Sequence, residues 1–368
     1  MSTSTSTGTS TGTGTSTGPA APLLEVADLR VTFDTEDGVV RAVDGVSFEL
    51  GEGETLGIVG ESGSGKSVTM MSVMRLIIDP NAHFAGSAVY RGQDLMTLDR
   101  KEMRGVRGSE IAMIFQDPMT SLNPVYKVGW QIAEQIRAHR QVSKAEAHKR
   151  AVELLGAVGI PNPERRADDF PHHFSGGMRQ RVMIALALSC DPRVLIADEP
   201  TTALDVTIQA QILALIKKLR TDFGSSVILI THDMGVVAEM ADRVAVMYAG
   251  RIVEHGTVRE IFHRPQHPYT WGLLGSIARL DRPKPERLTA IPGSPPSLTR
   301  LPTGCAFAER CAYRFDKCAE VPPLYDRVGN GHLDACHLPA EDKRQHRSEL
   351  LHFSAELPQT LTAGEDAS

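Results

Sequence analysis

Residues 60–67 form a glycine-rich octet that reads Gly-Glu-Ser-Gly-Ser-Gly-Lys-Ser and matches the pattern G-x-x-x-x-G-K-S/T in full. Its glycines let successive backbone N–H groups turn toward phosphate oxygens, and the helix that follows presents its positive end to the same anion. Lys66 supplies a positive charge for the β- and γ-phosphates, and the Ser67 hydroxyl can coordinate Mg²⁺. The octet therefore predicts that the chain binds a nucleoside triphosphate with Mg²⁺. The predicted contacts are Gly60, Glu61, Ser62, Gly63, Ser64, Gly65, Lys66, Ser67 and Val68.

Two adjacent carboxylates, Asp198 and Glu199, end an apolar run that starts at Val194. Asp198 is predicted to hold the magnesium shell opposite Ser67, while Glu199 lies where it can polarise a water molecule toward the γ-phosphate. This division between a metal ligand and a base is typical of hydrolysis. Upstream, the sequence Ser175-Gly-Gly opens a helix and offers a hydroxyl and free N–H groups to an anion, although a plain helix cap is the commoner use of this pattern.

The elements that must position these residues follow from short apolar runs. Thr55–Val59 is predicted to be a buried strand that leads into the octet, and Val68–Leu76 to be the helix after it. Arg193–Ala197 and Val227–Ile230 fit buried parallel strands, with a helix over Val206–Thr221 between them. Strands and helices that alternate around a phosphate loop predict an α/β core that binds its ligand at the carboxyl ends of the strands.

Outside this core the patterns change. Residues 23–50 alternate apolar and polar side chains around a turn at 35–38, which predicts an antiparallel β segment. Residues 120–190 are predicted to be mainly helical, and the stretch from Ser143 to Glu146 has the form of a capping box. After Phe262 the chain is rich in proline and carries four of its five cysteines, which indicates a separate, loop-rich C-terminal region.

The 368 residues are predicted to divide into four parts: a disordered Ser/Thr/Gly tail (1–21), an ATPase domain (22–262, with a helical subdomain at about 120–190), the cysteine-containing C-terminal region (263–340) and a polar tail (341–368). The formal charge of −6 gives no basic footprint for nucleic acid, so no nucleic-acid partner is expected. The first tail lacks the basic start and apolar middle of a signal peptide, so we expect the protein to stay in the cytosol.

Six motifs follow one another in a fixed order between Leu23 and Phe262, and in this order the chain resembles the ATP-binding-cassette (ABC) ATPases. The motifs are the octet, Gln116 in Phe-Gln-Asp-Pro, Ser175-Gly-Gly, Asp198-Glu199, Ala203-Leu-Asp205 and His232. The resemblance implies an α/β fold in which a RecA-like parallel sheet is joined by an N-terminal antiparallel β subdomain and a helical subdomain. It also implies that the chain hydrolyses ATP.

The resemblance implies a role for each motif. Gln116 would contact the magnesium shell and relay to a membrane partner, while Glu199 would be the general base. His232 would hydrogen-bond the γ-phosphate and orient the attacking water. The Ser175-Gly-Gly motif with Met178, called the signature, would complete the site of the opposite subunit in a head-to-tail dimer. Asp205 would lie at the same interface. The signature residues are Ser175, Gly176, Gly177 and Met178.

The contacts of two positions stay open. Met178 stands where glutamine is usual, which leaves the contact made by that side chain open. Phe33 lies where the family usually has tyrosine or phenylalanine, so it is the candidate for stacking on adenine. As a lone phenylalanine in an amphipathic strand, Phe33 fits a core position equally well.

The region after the ATPase domain indicates one group within the family. Residues 264–274 and 291–296 resemble the ATPases of oligopeptide and dipeptide importers. That resemblance implies a peripheral subunit on the cytoplasmic face of the cell membrane. It would pair with a second, different ATPase chain and dock on two transmembrane permease subunits. A substrate-binding protein would deliver the solute to these permeases. Nickel, glutathione or another small solute are the alternative cargoes.

Two alternatives belong to other functional classes. A soluble ABC ATPase of DNA repair or translation would usually carry two cassettes or a long insertion, and this chain has neither. A regulatory subunit that binds ATP without hydrolysing it is disfavoured by the intact Glu199 and His232.

Four cysteines in the C-terminal region could hold a metal. They are Cys305, Cys311, Cys318 and Cys336, separated by five, six and seventeen residues. This spacing contains no tight pair typical of zinc and fits neither ferredoxin pattern, so zinc, an iron–sulfur cluster and plain thiols all stay open, with His332 and His337 as further candidate ligands. The resemblance to the importer group implies a [4Fe–4S] cluster. Because the cysteines lie far along the chain from Lys66, we expect a structural or redox-sensing role without a direct part in hydrolysis.

Overall fold

The computed structural model describes residues 21–117, 121–202, 204–276, 291–326 and 329–350. Residues 1–20 of the predicted first tail, Ala203 of the predicted motif 203–205 and residues 351–368 of the predicted second tail lie outside them. The described part is a mixed α/β structure with one antiparallel sheet and one largely parallel sheet, which confirms the predicted fold class.

Two sheets contain the strands of the described residues. In chain order the strands are β1 (Leu24–Thr35), β2 (Gly38–Leu50), β3 (Thr55–Val59), β4 (Ala82–Tyr90), β5 (Gln93–Asp94), β6 (Ile111–Ile114), β7 (Val194–Asp198), β8 (Ser226–Thr231), β9 (Arg243–Tyr248), β10 (Arg251–Thr257), β11 (Tyr325–Asp326) and β12 (Leu333–Asp334). The smaller sheet has the order β2-β1-β4-β5. Thr35 pairs with Gly38 at the tip of β1 and β2, which confirms the antiparallel segment predicted around this turn.

The larger sheet has the order β11-β12-β10-β9-β3-β8-β7-β6. Its strands from β9 to β6 are parallel, and β3, which leads into the octet, is fully buried between β8 and β9. Strands β7 and β8 confirm the two buried strands predicted from their apolar runs. Because the carboxyl ends of parallel strands meet at one edge of a sheet, the octet, Asp198 and the residues after Thr231 come together.

The described residues also form α-helices. They are α1 (Lys66–Val73), α2 (Arg100–Val106), α3 (Val128–His139), α4 (Lys144–Ala157), α5 (Pro163–Arg166), α6 (Gly176–Ala187), α7 (Val206–Phe223), α8 (Met234–Met240), α9 (Val258–His263), α10 (Pro268–Gly275) and α11 (Ala340–Leu350). The capping box predicted before α4 forms, since Ser143 and Glu146 each accept the other's backbone N–H. Within the described residues, none of the helices combines the length and apolar character that crossing a lipid bilayer requires.

The C-terminal region packs on the ATPase domain, whereas the sequence indicated a separate region. Strand β12 pairs with β10, so β11 and β12 extend the larger sheet. Tyr269 and Phe307 are buried in one apolar cluster with Val59 and Val246 of the parallel strands. The region lacks long apolar periodicity of its own, and its apolar side chains are buried against the sheet of the ATPase domain instead.

Candidate functional site

The octet forms the tight loop that its glycines predict. Gly60, Gly63 and Gly65 have positive φ angles of 156°, 77° and 100°. A Cβ atom at Gly60 would lie 2.2 Å from the carbonyl oxygen of Met247, and one at Gly65 would lie 2.4 Å from that of Ala42. Both positions therefore need glycine for space as well as for conformation. The loop leads directly into α1, which begins at Lys66 and has Gly65 as its N-cap.

Lys66 is buried, and its ammonium group turns toward the loop. Its Nζ donates to the carbonyl oxygens of Gly60 at 2.8 Å and Glu61 at 2.9 Å. Burial lowers the pKa of Lys66, while the carboxylates of Glu199, Asp198 and Glu61 act in the opposite direction. Since the present acceptors are neutral carbonyls, the charged oxygens of a phosphate would be stronger partners for this lysine.

Ser67 and Asp198 face each other, as a shared magnesium shell requires. The Ser67 hydroxyl donates to Oδ1 of Asp198 at 2.8 Å. Burial raises the pKa of Asp198 and the charge of Glu199 adds to this effect, whereas the Ser67 hydrogen bond and Lys66 oppose it. A hydroxyl, a buried carboxylate and the nearby Gln116 amide are the hard oxygen donors that Mg²⁺ prefers, so these residues fit the ion.

Glu199 lies at the centre of a hydrogen-bonded group. Its Oε2 accepts from the Thr202 hydroxyl at 2.8 Å and from Gln116 Nε2 at 3.1 Å, and its Oε1 lies 3.4 Å from Nδ1 of His232. The backbone of Glu199 has a φ of +45°, in the left-handed region that costs free energy for any residue except glycine. A hydrogen bond from its N–H to the Ile230 carbonyl at 2.9 Å holds this conformation.

One open cavity collects most of the predicted nucleotide contacts. It has a volume of about 540 Å³ and is lined by residues 61–68 together with Gln116, Glu199 and His232. This volume lies within the range of small-molecule sites. Phe33 is not among the lining residues; it lies half-buried on β1, where it packs against an apolar cluster that contains residues of both sheets. Its stacking on adenine stays a prediction.

The signature lies away from this cavity. Ser175 caps α6 and accepts from the N–H of Met178 at 3.4 Å. A Cβ at Gly177 would lie 2.9 Å from Cγ2 of Ile208, in the first turn of α7, which Asp205 caps in the same way. The structure therefore brings the signature and Asp205 together, and none of them lines the cavity that contains Lys66.

The four C-terminal cysteines line one small cavity. Each is partly buried, and none of the four forms a disulfide in the described residues. Burial raises the pKa of Cys311 to about 11 and that of Cys336 to about 12. Among the described residues, no three Cys, His, Asp or Glu side chains converge closely enough to hold a single metal ion.

Three residues of the site were not predicted from the sequence. Thr202 donates to Glu199 and could have been found as the hydroxyl three residues after that acid. Tyr269 accepts a hydrogen bond from the Glu61 N–H at 2.8 Å, and Arg310 binds the Glu61 carboxylate at 2.6 and 3.0 Å. No local pattern signals Arg310, because its partner is 249 residues away in the chain.

Fold and site together define an ATPase of the ABC type, a class that hydrolyses ATP with Mg²⁺. Two solved structures support this class. The dimeric, post-hydrolysis state of the ATP-binding cassette MJ0796 bound to ADP and phosphate is 28% identical, with a TM-score of 0.58 over 64% of this chain and 99% of that one. The cbiO1 protein of Clostridium perfringens, part of the ABC transporter complex cbiONQ, is 29% identical with a TM-score of 0.56 over 66% of this chain and 91% of that one.

Matches to family models and to known relatives indicate which group of ABC ATPases the chain belongs to. Residues 43–202 match the ABC transporter model, and residues 253–318 match the model of the oligopeptide/dipeptide transporter C-terminal region. The oligopeptide transport ATP-binding protein OppD of Bacillus subtilis is 60% identical over 84% of this chain and 87% of that protein. The dipeptide transport ATP-binding protein DppD of the same organism is 53% identical over 89% of this chain and 97% of that protein. The chain therefore belongs to the ABC transporter ATPases, in the group with the oligopeptide/dipeptide transporter C-terminal region.

Proposed function

We propose that this chain is the ATP-hydrolysing subunit of an ABC importer for peptides, bound as a peripheral subunit to the cytoplasmic face of the cell membrane. One observation carries the proposal. Lys66, Glu199 and His232 line a single cavity in a chain whose C-terminal region matches that of oligopeptide/dipeptide transporters. Relatives named as oligopeptide and dipeptide transport ATP-binding proteins align with most of the chain, which supports peptides as the cargo.

The residues of the site divide the work of hydrolysis among them. Ser67, Gln116 and Asp198 would hold Mg²⁺, which neutralises phosphate charge. Lys66 would exchange its carbonyl partners for β- and γ-phosphate oxygens. Glu199 would accept the proton of the attacking water.

His232, 3.4 Å from Glu199, would hydrogen-bond the γ-phosphate and orient that water. Thr202 and Gln116 fix the Glu199 carboxylate through two hydrogen bonds, so this base is already positioned before ATP binds.

A second ATPase would complete the site. Ser175 and Gly176 are exposed at the start of α6, so their hydroxyl and N–H groups are accessible to a nucleotide held by another chain. In a head-to-tail pair the signature of each chain, with Asp205 beside it, would close over the phosphate loop of the other. We propose that the partner is a different ATPase chain, because the importers that this sequence resembles pair two ATPase chains that are similar but not identical.

An exposed aromatic pair suits the contact with a permease subunit. Tyr126 and Trp130 stack with ring centroids 4.2 Å apart, and their exposed fractions are 44% and 45%. Val125 beside them is 69% exposed. These side chains follow Gln116 by about ten residues in the chain, and they would offer a permease segment an apolar surface on which to pack. Large exposed apolar side chains in a cluster mark interaction sites more often than ordinary surface.

The four cysteines would hold a [4Fe–4S] cluster. What supports this proposal is that Cys305, Cys311, Cys318 and Cys336 line one cavity. The resemblance to the importer group implies this cluster rather than a single zinc ion.

Uptake by whole cells tests the cargo. A strain that lacks this chain should lose uptake of labelled dipeptides and oligopeptides, and the wild-type chain should restore it. The Glu199→Gln chain should be expressed and fail to restore it. Nickel and glutathione uptake serve as parallel arms: loss of either one with peptide uptake intact would overturn peptides as the cargo while leaving the ATPase role in place.

A further inference from the structure

Glu61 joins the phosphate loop to the C-terminal region. Arg310 lies between Cys305 and Cys311 in the chain, and its Nη1 and Nη2 donate to the two carboxylate oxygens of Glu61 at 2.6 and 3.0 Å. The Arg310 side chain is only 5% exposed and that of Glu61 is 29% exposed. This is a bidentate ion pair at the wall of the nucleotide cavity, to which Glu61 contributes.

Arg310 is itself held rigidly. Its Nε donates to the carbonyl oxygen of Pro292 at 2.9 Å, and Nη1 also lies 3.3 Å from the Tyr248 hydroxyl. Its guanidinium carbon lies 5.7 Å from the centre of the Tyr248 ring and 5.9 Å from that of Phe307. An arginine fixed on this many sides sets the position of the carboxylate that it binds.

Tyr269 holds the backbone of the same residue. Its hydroxyl oxygen accepts the Glu61 N–H at 2.8 Å, and its ring is fully buried, 4.6 Å from the ring centre of Tyr248. The Glu61 carbonyl in turn accepts from Lys66 Nζ at 2.9 Å. Every polar group of Glu61 is therefore engaged: the N–H and the carboxylate by the C-terminal region, and the carbonyl by the lysine that must reach phosphate.

We propose that Arg310 and Tyr269 are positioning residues of the ATP site, through which the C-terminal region holds the phosphate loop and neutralises the Glu61 carboxylate beside the bound triphosphate. Without Arg310, the negative charge of Glu61 would face the phosphates uncompensated. The cysteine-bearing segment thus takes part in nucleotide binding, without a direct part in hydrolysis. This role of Arg310 and Tyr269 affects ATP affinity and is independent of the solute that the transporter carries.

A double-mutant cycle tests the charge pair. We expect Arg310→Met to raise the ATP dissociation constant about tenfold, the effect of one uncompensated charge near the triphosphate. In a Glu61→Gln background the same Arg310→Met change should have less than about a threefold effect, because no carboxylate is left to compensate. Arg314→Met, an exposed arginine of the same segment, is the matched control and should leave the affinity at the wild-type value.

The measurements separate positioning from a general structural role. Titration calorimetry with ATP and Mg²⁺ gives the dissociation constant for the full chain. In the assembled transporter, KM for ATP should rise while kcat at saturating ATP stays within about twofold, since only uniform binding is lost. A wild-type dissociation constant for Arg310→Met, or an equal loss in both Glu61 backgrounds, would overturn the proposal.

Tyr269→Phe provides an independent arm that removes a single oxygen atom. It leaves the Glu61 N–H without its acceptor and the buried ring in place, so the thermal midpoint should change little while the ATP dissociation constant rises severalfold. Should Arg310→Met fail to fold, this variant decides the question. An unchanged dissociation constant in folded Tyr269→Phe would contradict the proposal.

Discussion

Glu199→Gln should remove the chemical step of hydrolysis and leave nucleotide binding intact. Glutamine has the size of glutamate and keeps an oxygen that can accept the Thr202 hydroxyl, so the geometry around the residue should be preserved. It cannot take a proton from water. Because a positioned general base contributes about 10²- to 10⁴-fold, we expect kcat to fall by that factor, equal to about 2.7–5.5 kcal/mol of barrier.

The affinity for ATP should not weaken in this variant. Glu199 and Asp198 are two adjacent carboxylates close enough to Lys66 to affect its pKa, so loss of one negative charge reduces repulsion of the triphosphate. The assay is phosphate release by the assembled transporter together with calorimetric ATP binding, with Lys66→Ala as the contrasting variant that should lose binding itself. Turnover near the wild-type value in Glu199→Gln would refute the assignment of this residue as the base.

Three further predictions concern assembly, the cysteines and pH. Ser175→Arg should impair hydrolysis at the partner's site and leave ATP binding at Lys66 unchanged; equal loss of nucleotide from both sites, measured with a labelled analogue, would contradict the head-to-tail pairing. Anaerobically purified protein should be brown, with broad absorption near about 400 nm and about four irons per chain, whereas one zinc and no iron would indicate a Cys₄ zinc site. Burial, together with Lys343, lowers the pKa of His267 from the ordinary histidine value of about 6.5 to about 3. Between these two pH values the imidazole is protonated in the unfolded chain and neutral in the folded chain. Stability should therefore fall as the pH drops below about 6.5, by about 1.4 kcal/mol per unit from this group. His267→Asn, which keeps an acceptor for the cap of α10, should reduce this slope in urea titrations at pH 7 and 5.

Local chemistry explains why much of the ATP site could be predicted from the sequence. The glycines of the octet lie within a few residues of one another, and Asp198 and Glu199 are neighbours. Both motifs can therefore be recognised from a short stretch of sequence. The strands β3, β7 and β8 are buried on both faces and read as continuous apolar runs. Their order in the sheet, which brings Ser67 to Asp198 across 131 residues, follows only from the family resemblance.

The contacts of the C-terminal region could not be predicted in this way. Arg310 and Tyr269 lie 249 and 208 residues from Glu61, and nothing in their own neighbourhoods indicates a partner in the phosphate loop. The proline-rich sequence suggested a separate region because it lacks long apolar periodicity. Its apolar side chains pack instead against strands of the ATPase domain, where Tyr269 and Phe307 are buried.

ATP-driven peptide accumulation in reconstituted vesicles tests the central claim most directly. The complete transporter would be reconstituted with ATP and Mg²⁺ on the side that carries this chain, and a labelled oligopeptide with its binding protein on the other side. We predict that the peptide accumulates against its gradient as ATP is consumed, and that Glu199→Gln stops both processes together. Peptide accumulation at the wild-type rate with the Glu199→Gln chain would contradict the claim that hydrolysis at this site powers import.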